Sequence, residues 1–177
     1  MLADEVVGLR ARIGADVALL HAELYDDVVT RVRGDSRPWT PIPAESPSSP
    51  FAVNDGDDSA ALFSVVELAS SELVGEAVLY LIDPHNRTAH AGLALLPAFR
   101  GRGLSHHVLQ LLCRYGFEIR GLHRLQLETL ADNEPMIRAA TQAGFIEEGR
   151  LRGARWVDGG FVDELVFGRV LDTPPDA

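Results

Sequence analysis

The chain contains no lysine: all 16 of its Lys and Arg residues are arginine. That excludes a Schiff-base lysine and the Gly-Lys-Ser/Thr phosphate loop of nucleotide hydrolases. Only one cysteine is present, Cys113, so no internal disulfide forms, and no set of Cys and His has the spacing of a zinc site. No metal is expected, and Cys113 reads as core filling. No apolar run reaches the roughly 18 residues that cross a bilayer. Met1 to Arg12 carries acidic residues where a secretory leader is basic. A cytoplasmic protein without a membrane partner is expected. Positive charge is also scarce, the formal net charge being -10, which argues against a nucleic-acid partner and mildly favours a cationic one such as an amine.

What is present suffices for one core: 177 residues, 46% of them hydrophobic, predict a single domain over 1–170 with a flexible tail at 171–177. A strand pattern at Val6 to Arg12 passes at Gly14 and Asp16 into a helical one with Val17, Leu20 and Leu24 on one face, and Asp16 is placed to cap it. From Arg37 to Asp58 periodicity is lost among Pro38, Pro41, Pro43, Pro47 and Pro50, followed by Asn54, Asp55, Gly56, Asp57 and Asp58. This is a long loop of the kind that borders a binding site or is solvated padding. Glu45, Asp55, Asp57 and Asp58 within it are either an attraction for a cationic amine or a solvated face.

Three strand patterns follow, Ala60 to Leu68, Leu73 to Asp83 and Thr88 to Leu96, joined by short polar links that predict an antiparallel meander. From Gly103 to Arg120 a helix is predicted, with Leu104, Val108, Leu111, Leu112, Tyr115 and Ile119 on one face and Gly121 to end it. A strand at Arg124 to Leu130, a helix from about Glu134 and strands at Phe145 to Leu151 and Phe161 to Val170 complete the order, the last two flanking a loop that contains Trp156. The fold class is α/β (α+β), a mixed, mostly antiparallel sheet with helices on both faces.

The segment Leu95-Leu96-Pro97-Ala98-Phe99-Arg100-Gly101-Arg102-Gly103-Leu104-Ser105 leads from a strand through glycines into the long helix. Gly101 and Gly103 let backbone approach a ligand closely, and the free N–H groups of the helix start face outward. The helix dipole adds about half a positive charge there, and Arg100 and Arg102 add full ones, so a diphosphate is a fitting occupant. A dinucleotide fingerprint needs a third glycine where His106 stands. A glycine-rich connection without a ligand is the alternative.

At these residues the sequence resembles the GNAT superfamily of acyl-CoA-dependent N-acetyltransferases, whose hallmark Arg/Gln-x-x-Gly-x-Gly/Ala reads here Arg100-Gly101-Arg102-Gly103-Leu104-Ser105. Asn133 followed by Gly144-Phe145 is similar to the family pattern. Glu147-Glu148-Gly149-Arg150-Leu151-Arg152 followed by Asp163, together with Leu9-Arg10 and the Asp16 helix start, resembles the ribosomal-protein alanine acetyltransferase branch. The resemblance implies a GNAT-like sheet, acetyl-CoA as acyl donor, and pantetheine along the strand ending at Leu95 and Leu96. It further implies that Asn133 bonds the pantetheine amide and that the pyrophosphate meets Gly101 to His106. His107 beside it reads as packing or capping. A homodimer is the family's expectation.

For the general base two candidates stand. Glu128 matches by position a catalytic Glu of the protein-alanine branch, and His90 lies on the pyrophosphate-side strand where relatives often carry Glu. The Tyr that relatives often place seven residues after the Asn is Ala140 here, and the common Ser three residues after it is Met136, which leaves water to protonate the leaving thiolate. The expected function is acetyl transfer to a primary amine, a small molecule or a protein N-terminus. The alternative is a catalytically weakened acyl-CoA-binding or interaction module.

Overall fold

The computed structural model describes residues 1–53 and 58–171. Asn54, Asp55, Gly56 and Asp57 of the acidic stretch, and 172–177 of the expected tail, lie outside the described residues.

The strands β1 (Leu2–Ala3), β2 (Val7–Ala11), β3 (Ala61–Glu67), β4 (Leu73–Asp83), β5 (Thr88–Leu95), β6 (Arg124–Leu130), β7 (Ile146–Val157) and β8 (Gly160–Val170) form one sheet in the order β1-β2-β3-β4-β5-β6-β8-β7. Every neighbouring pair is antiparallel except β5 with β6. The helices are α1 (Gly14–Leu24), α2 (Val28–Gly34), α3 (Leu104–Arg114) and α4 (Glu134–Gln142).

Period-two burial sets the faces. On β6, Leu125 and Leu127 are buried in the main core with Val108, Leu111 and Leu112 of α3, so Gln126 and Glu128 face the other way. On that second face Leu20 and Leu24 of α1 pack with Tyr25, Phe51 and Leu96 into a smaller core. Helices thus cover both faces, as the sequence predicts.

α1 begins where Asp16 accepts from the Ile13 N–H at 3.0 Å and takes a two-pronged ion pair from Arg10 at 2.6 and 2.7 Å. Ser64 on β3 donates to the same carboxylate at 2.6 Å. Burial opposes ionisation of Asp16, but the bonds from Arg10, Ser64 and Ile13 outweigh it and hold the carboxyl down at about 2. The long loop after α2 is anchored: Trp39 donates Nε1 to the Tyr25 carbonyl at 3.1 Å, the Tyr25 hydroxyl donates to the Thr40 carbonyl at 2.9 Å, and Phe51 is buried.

Two elements differ from the sequence reading. The helix predicted to Arg120 stays α-helical only to Arg114, and Tyr115–Ile119 is a π-helical turn closed by Arg120 N–H on the Tyr115 carbonyl at 2.9 Å. The wider turn rotates the phase, so Gly116 and Phe117 are buried and Ile119 is 58% exposed rather than on the core face. The loop expected around Trp156 is strand instead. β7 runs on to Val157 through an irregularity between Leu151 and Arg155, because Asp163 of β8 ties Arg150 at 2.7 Å and the Gly153 N–H at 2.8 Å. The branch-like run ending in Asp163 is therefore a brace for this hairpin. α2 has no counterpart in the sequence reading.

Candidate active site

β5 and β6 pair in parallel over three registers only, Thr88↔Arg124, Ala89↔Leu125 and His90↔Gln126. Beyond His90, β5 stays with β4 to Leu95 and β6 stays with β8 to Leu130, so the two strands part. The gap opens into a cavity of about 780 Å³ on the smaller-core face, a size suited to a small-molecule site.

His90 and Glu128, rival candidates in the sequence, meet at the closed end of this gap. His90 Nδ1 lies 3.0 Å from Glu128 Oε1 and 3.2 Å from Oε2. Gln126 donates Nε2 to Oε1 at 2.5 Å, and the Tyr80 hydroxyl donates to Oε2 at 3.4 Å. Register brings these groups together, since Tyr80 pairs with His90 across β4 and β5 and His90 pairs with Gln126. Burial first, and then the Glu128 charge, push the Tyr80 phenol well above its ordinary value, so it remains a donor. An ionised Glu128 is satisfied by the tautomer with the proton on Nδ1, which leaves the lone pair on Nε2.

The far wall comes from elements the sequence did not offer as site. Arg31 of α2, Asp35 and Arg37 line the cavity with Glu76 of β4, Arg155 of β7 and Glu164 of β8. Arg12 holds Glu76 at 2.6 Å, and Arg155 holds Glu164 at 2.6 Å. Burial raises the Glu76 carboxyl, with Arg12 pulling the other way. Among the loop residues Ser36, Arg37, Pro50 and Phe51 border the cavity, whereas Glu45 and Asp58 are exposed and do not line it.

At the other end of β5, the turn after Pro97–Phe99 places Gly101 at φ +73 and Gly103 at φ +77, and Gly103 caps α3. These left-handed conformations favour glycine, and a Cβ at either position meets nothing within 4 Å, so the backbone there borders open space. Leu104, buried, and Ser105, half-buried, form the first turn of α3. The two arginines are tied nearby: Arg100 donates Nε to the Leu95 carbonyl at 3.0 Å, and Arg102 holds Glu67 at 2.7 Å. His106 stacks beside His107 at 4.0 Å between ring centroids, and His107 Nδ1 lies 2.7 Å from Asp4. Leu96 is buried in the smaller core and donates its N–H to the Val74 carbonyl at 2.9 Å.

Asn133 lines the cavity and caps α4. Its Oδ1 accepts from the Met136 N–H at 3.4 Å, while Nδ2 donates to Thr129 Oγ1 at 3.0 Å, its second amide hydrogen having no acceptor among the described residues. Met136 also lines the cavity, and Ala140 is fully buried in the main core. Among the described residues no cluster of His, Cys, Asp and Glu fits a metal ion, and no helix is long and apolar enough to cross a membrane.

Residues 7–146 match the family model of the acetyltransferase (GNAT) domain. The chain belongs to the GNAT family. This GNAT chain is 28% identical over 106 residues to spermidine N(1)-acetyltransferase of Vibrio cholerae, a match covering 60% of this chain and 61% of that protein. It is 29% identical over 102 residues to the ribosomal-protein-serine acetyltransferase of Escherichia coli, covering 58% and 57%. The matched segments thus span about three-fifths of these curated relatives. A crystal structure of the Vibrio cholerae spermidine N-acetyltransferase in complex with CoA and spermine superposes with a TM-score of 0.84 at 21% identity, over 94% of this chain and 96% of that one. The fold is therefore the GNAT fold, with the parting of β5 and β6 at its centre.

Proposed function

We propose that this chain transfers an acetyl group from acetyl-CoA to a primary amine, with the His90 and Glu128 pair removing the amine proton. The observation that carries this reading is the meeting of these two groups at the closed end of the gap between β5 and β6.

The residues present fit an acyl-CoA. The open space over Gly101 and Gly103 and the N–H groups opening α3 suit a diphosphate. The unpaired edges of β5 and β6 suit an extended pantetheine, and Asn133 has an amide hydrogen to give. Acetyl-CoA supplies the acetyl thioester that the amine attacks, the new N–C bond forming as the C–S bond breaks. His90 Nε2 takes the proton that the nitrogen loses, and Glu128 fixes the ring through Nδ1 and offsets the charge it gains. Tyr80 and Gln126 hold the carboxylate in place. With Ala140 and Met136 at the family's hydroxyl positions, the thiolate takes its proton from water or the imidazolium. An α-amine, with a pKa of about 8, is partly neutral at pH 7 and suits this arrangement better than a side-chain amine near 10.4. The substrates named for the relatives, spermidine and a ribosomal protein, both carry amino groups.

The test is a calorimetric titration with acetyl-CoA followed by thiol release across an amine panel, for the unaltered chain, His90→Gln and Glu128→Gln. Binding retained in all three, with turnover reduced about a hundredfold or more in the variants, is the expected result. Turnover unchanged in both variants overturns the dyad. Binding of acetyl-CoA with no amine consumed favours a binding module. Light scattering on the same samples tests the expected dimer.

A further inference from the structure

The charges that line the cavity cancel, with two exceptions. Arg155 is matched by Glu164 at 2.6 Å, Glu76 by Arg12 at 2.6 Å, and Arg33 by Asp132 at 2.8 Å. Among the described residues Glu128 has no arginine partner and meets His90, Tyr80 and Gln126. Asp35, in contrast, is shared by two guanidiniums, Arg31 at 2.7 Å and Arg37 at 2.7 Å. One negative charge thus remains at the Glu128 end and one positive charge at the Arg31–Asp35–Arg37 end of the same cavity. Arg31 is about nine-tenths buried and Arg37 about two-thirds exposed, so the unmatched positive charge is reachable through Arg37.

We propose that the acceptor is an amine that also carries a carboxylate, with its nitrogen at His90 and Glu128 and its carboxylate on the Arg31 and Arg37 side. This rests on the reading of the cavity as the acceptor site. Guanidinium groups suit a carboxylate through paired N–H bonds. A polyamine has cationic groups along its length and no anion, so it meets only one carboxylate here that no arginine already holds. The carboxylate-bearing amine is either a free amino acid or a peptide N-terminus with an acidic residue close behind.

The experiment compares amines that differ only in carboxylate against carboxamide. One set is glutamate, aspartate and their side-chain and α-amides; the other is tripeptides with Asp or Asn, Glu or Gln, after the first residue. The expected result is kcat/KM about tenfold or more in favour of the carboxylate in one of the sets, which also identifies the source. In Arg37→Gln that ratio falls to within about twofold, chiefly through KM; Arg37 is two-thirds exposed, so the fold tolerates the change. Equal use of acid and amide, a ratio that survives Arg37→Gln, or a preference for spermidine over every acid overturns the proposal. Calorimetric binding of the N-acetylated acid and amide reads the same preference without turnover. If no amine is acetylated yet the acid binds tighter, the transfer reading falls and the carboxylate site stands; no preference in binding removes the site.

Discussion

Arg12 and Glu76 form a 2.6 Å ion pair in which the guanidinium is almost wholly covered and the carboxylate is one-fifth exposed to the cavity. Burial alone would push the Glu76 proton on, and Arg12 opposes it. Arg12→Met leaves that carboxylate without its partner and should lower stability by about 3 kcal/mol, read as a reduced urea midpoint with an unchanged slope. Adding Glu76→Gln should restore most of the loss. A single variant as stable as the unaltered chain contradicts this account.

Asp16 gives the fold an acid limit. Its folded-state value, about 2, lies below the 3.8 of an unperturbed Asp. The contribution is therefore fully present above about pH 4 and fades as pH falls towards 2, because the unfolded chain takes up the proton first. Its size is about 2 kcal/mol. Asp16→Asn should be less stable by about that amount at pH 7 and should lose less than the parent between pH 4 and 2, as denaturant melts at each pH will report.

Tyr80 orients Glu128 through its hydroxyl, which burial and the neighbouring carboxylate keep protonated. Tyr80→Phe should reduce kcat about tenfold while leaving the calorimetric affinity for acetyl-CoA within twofold. A loss confined to acetyl-CoA binding would instead place the phenol in donor recognition.

Gly103, at φ +77 over open space, is the most exposed test of the diphosphate turn. Gly103→Glu introduces a strained side chain, at about 1–2 kcal/mol, and a negative charge facing the expected phosphates. Acetyl-CoA heats should vanish in this variant while the far-UV spectrum is kept. Gly103→Ala, with strain but no charge, should bind more weakly than the parent and better than the Glu variant.

Much of the frame was legible because local chemistry agrees with it. β4 and β6 fall on the bounds that alternation predicts, and α4 starts beside the Asn133 cap. α2 was not legible: Val28, Val29 and Thr30 are β-branched and speak for strand, and only Asp27, whose carboxylate takes the Thr30 N–H at 3.3 Å, marks a helix start. The π-helical turn escaped because a helical wheel assumes one period throughout. Both catalytic candidates were visible as residue types, but their pairing across 38 positions depends on the parallel register of β5 and β6. The arginine wall was invisible for the same reason, since Arg31, Glu76, Arg155 and Glu164 converge from four separate elements.

The seam of three paired registers between β5 and β6 makes the sheet two plates joined at a short hinge. Beyond the hinge the two strands part, so an extended acyl donor seated between them would bridge the plates. Cohesion then rises when the acyl donor seats and falls when the product leaves, and the melting temperature should climb with donor concentration by mass action. In the free chain this central joint is held by three registers, against seven on either side of it, between β4 and β5 and between β6 and β8.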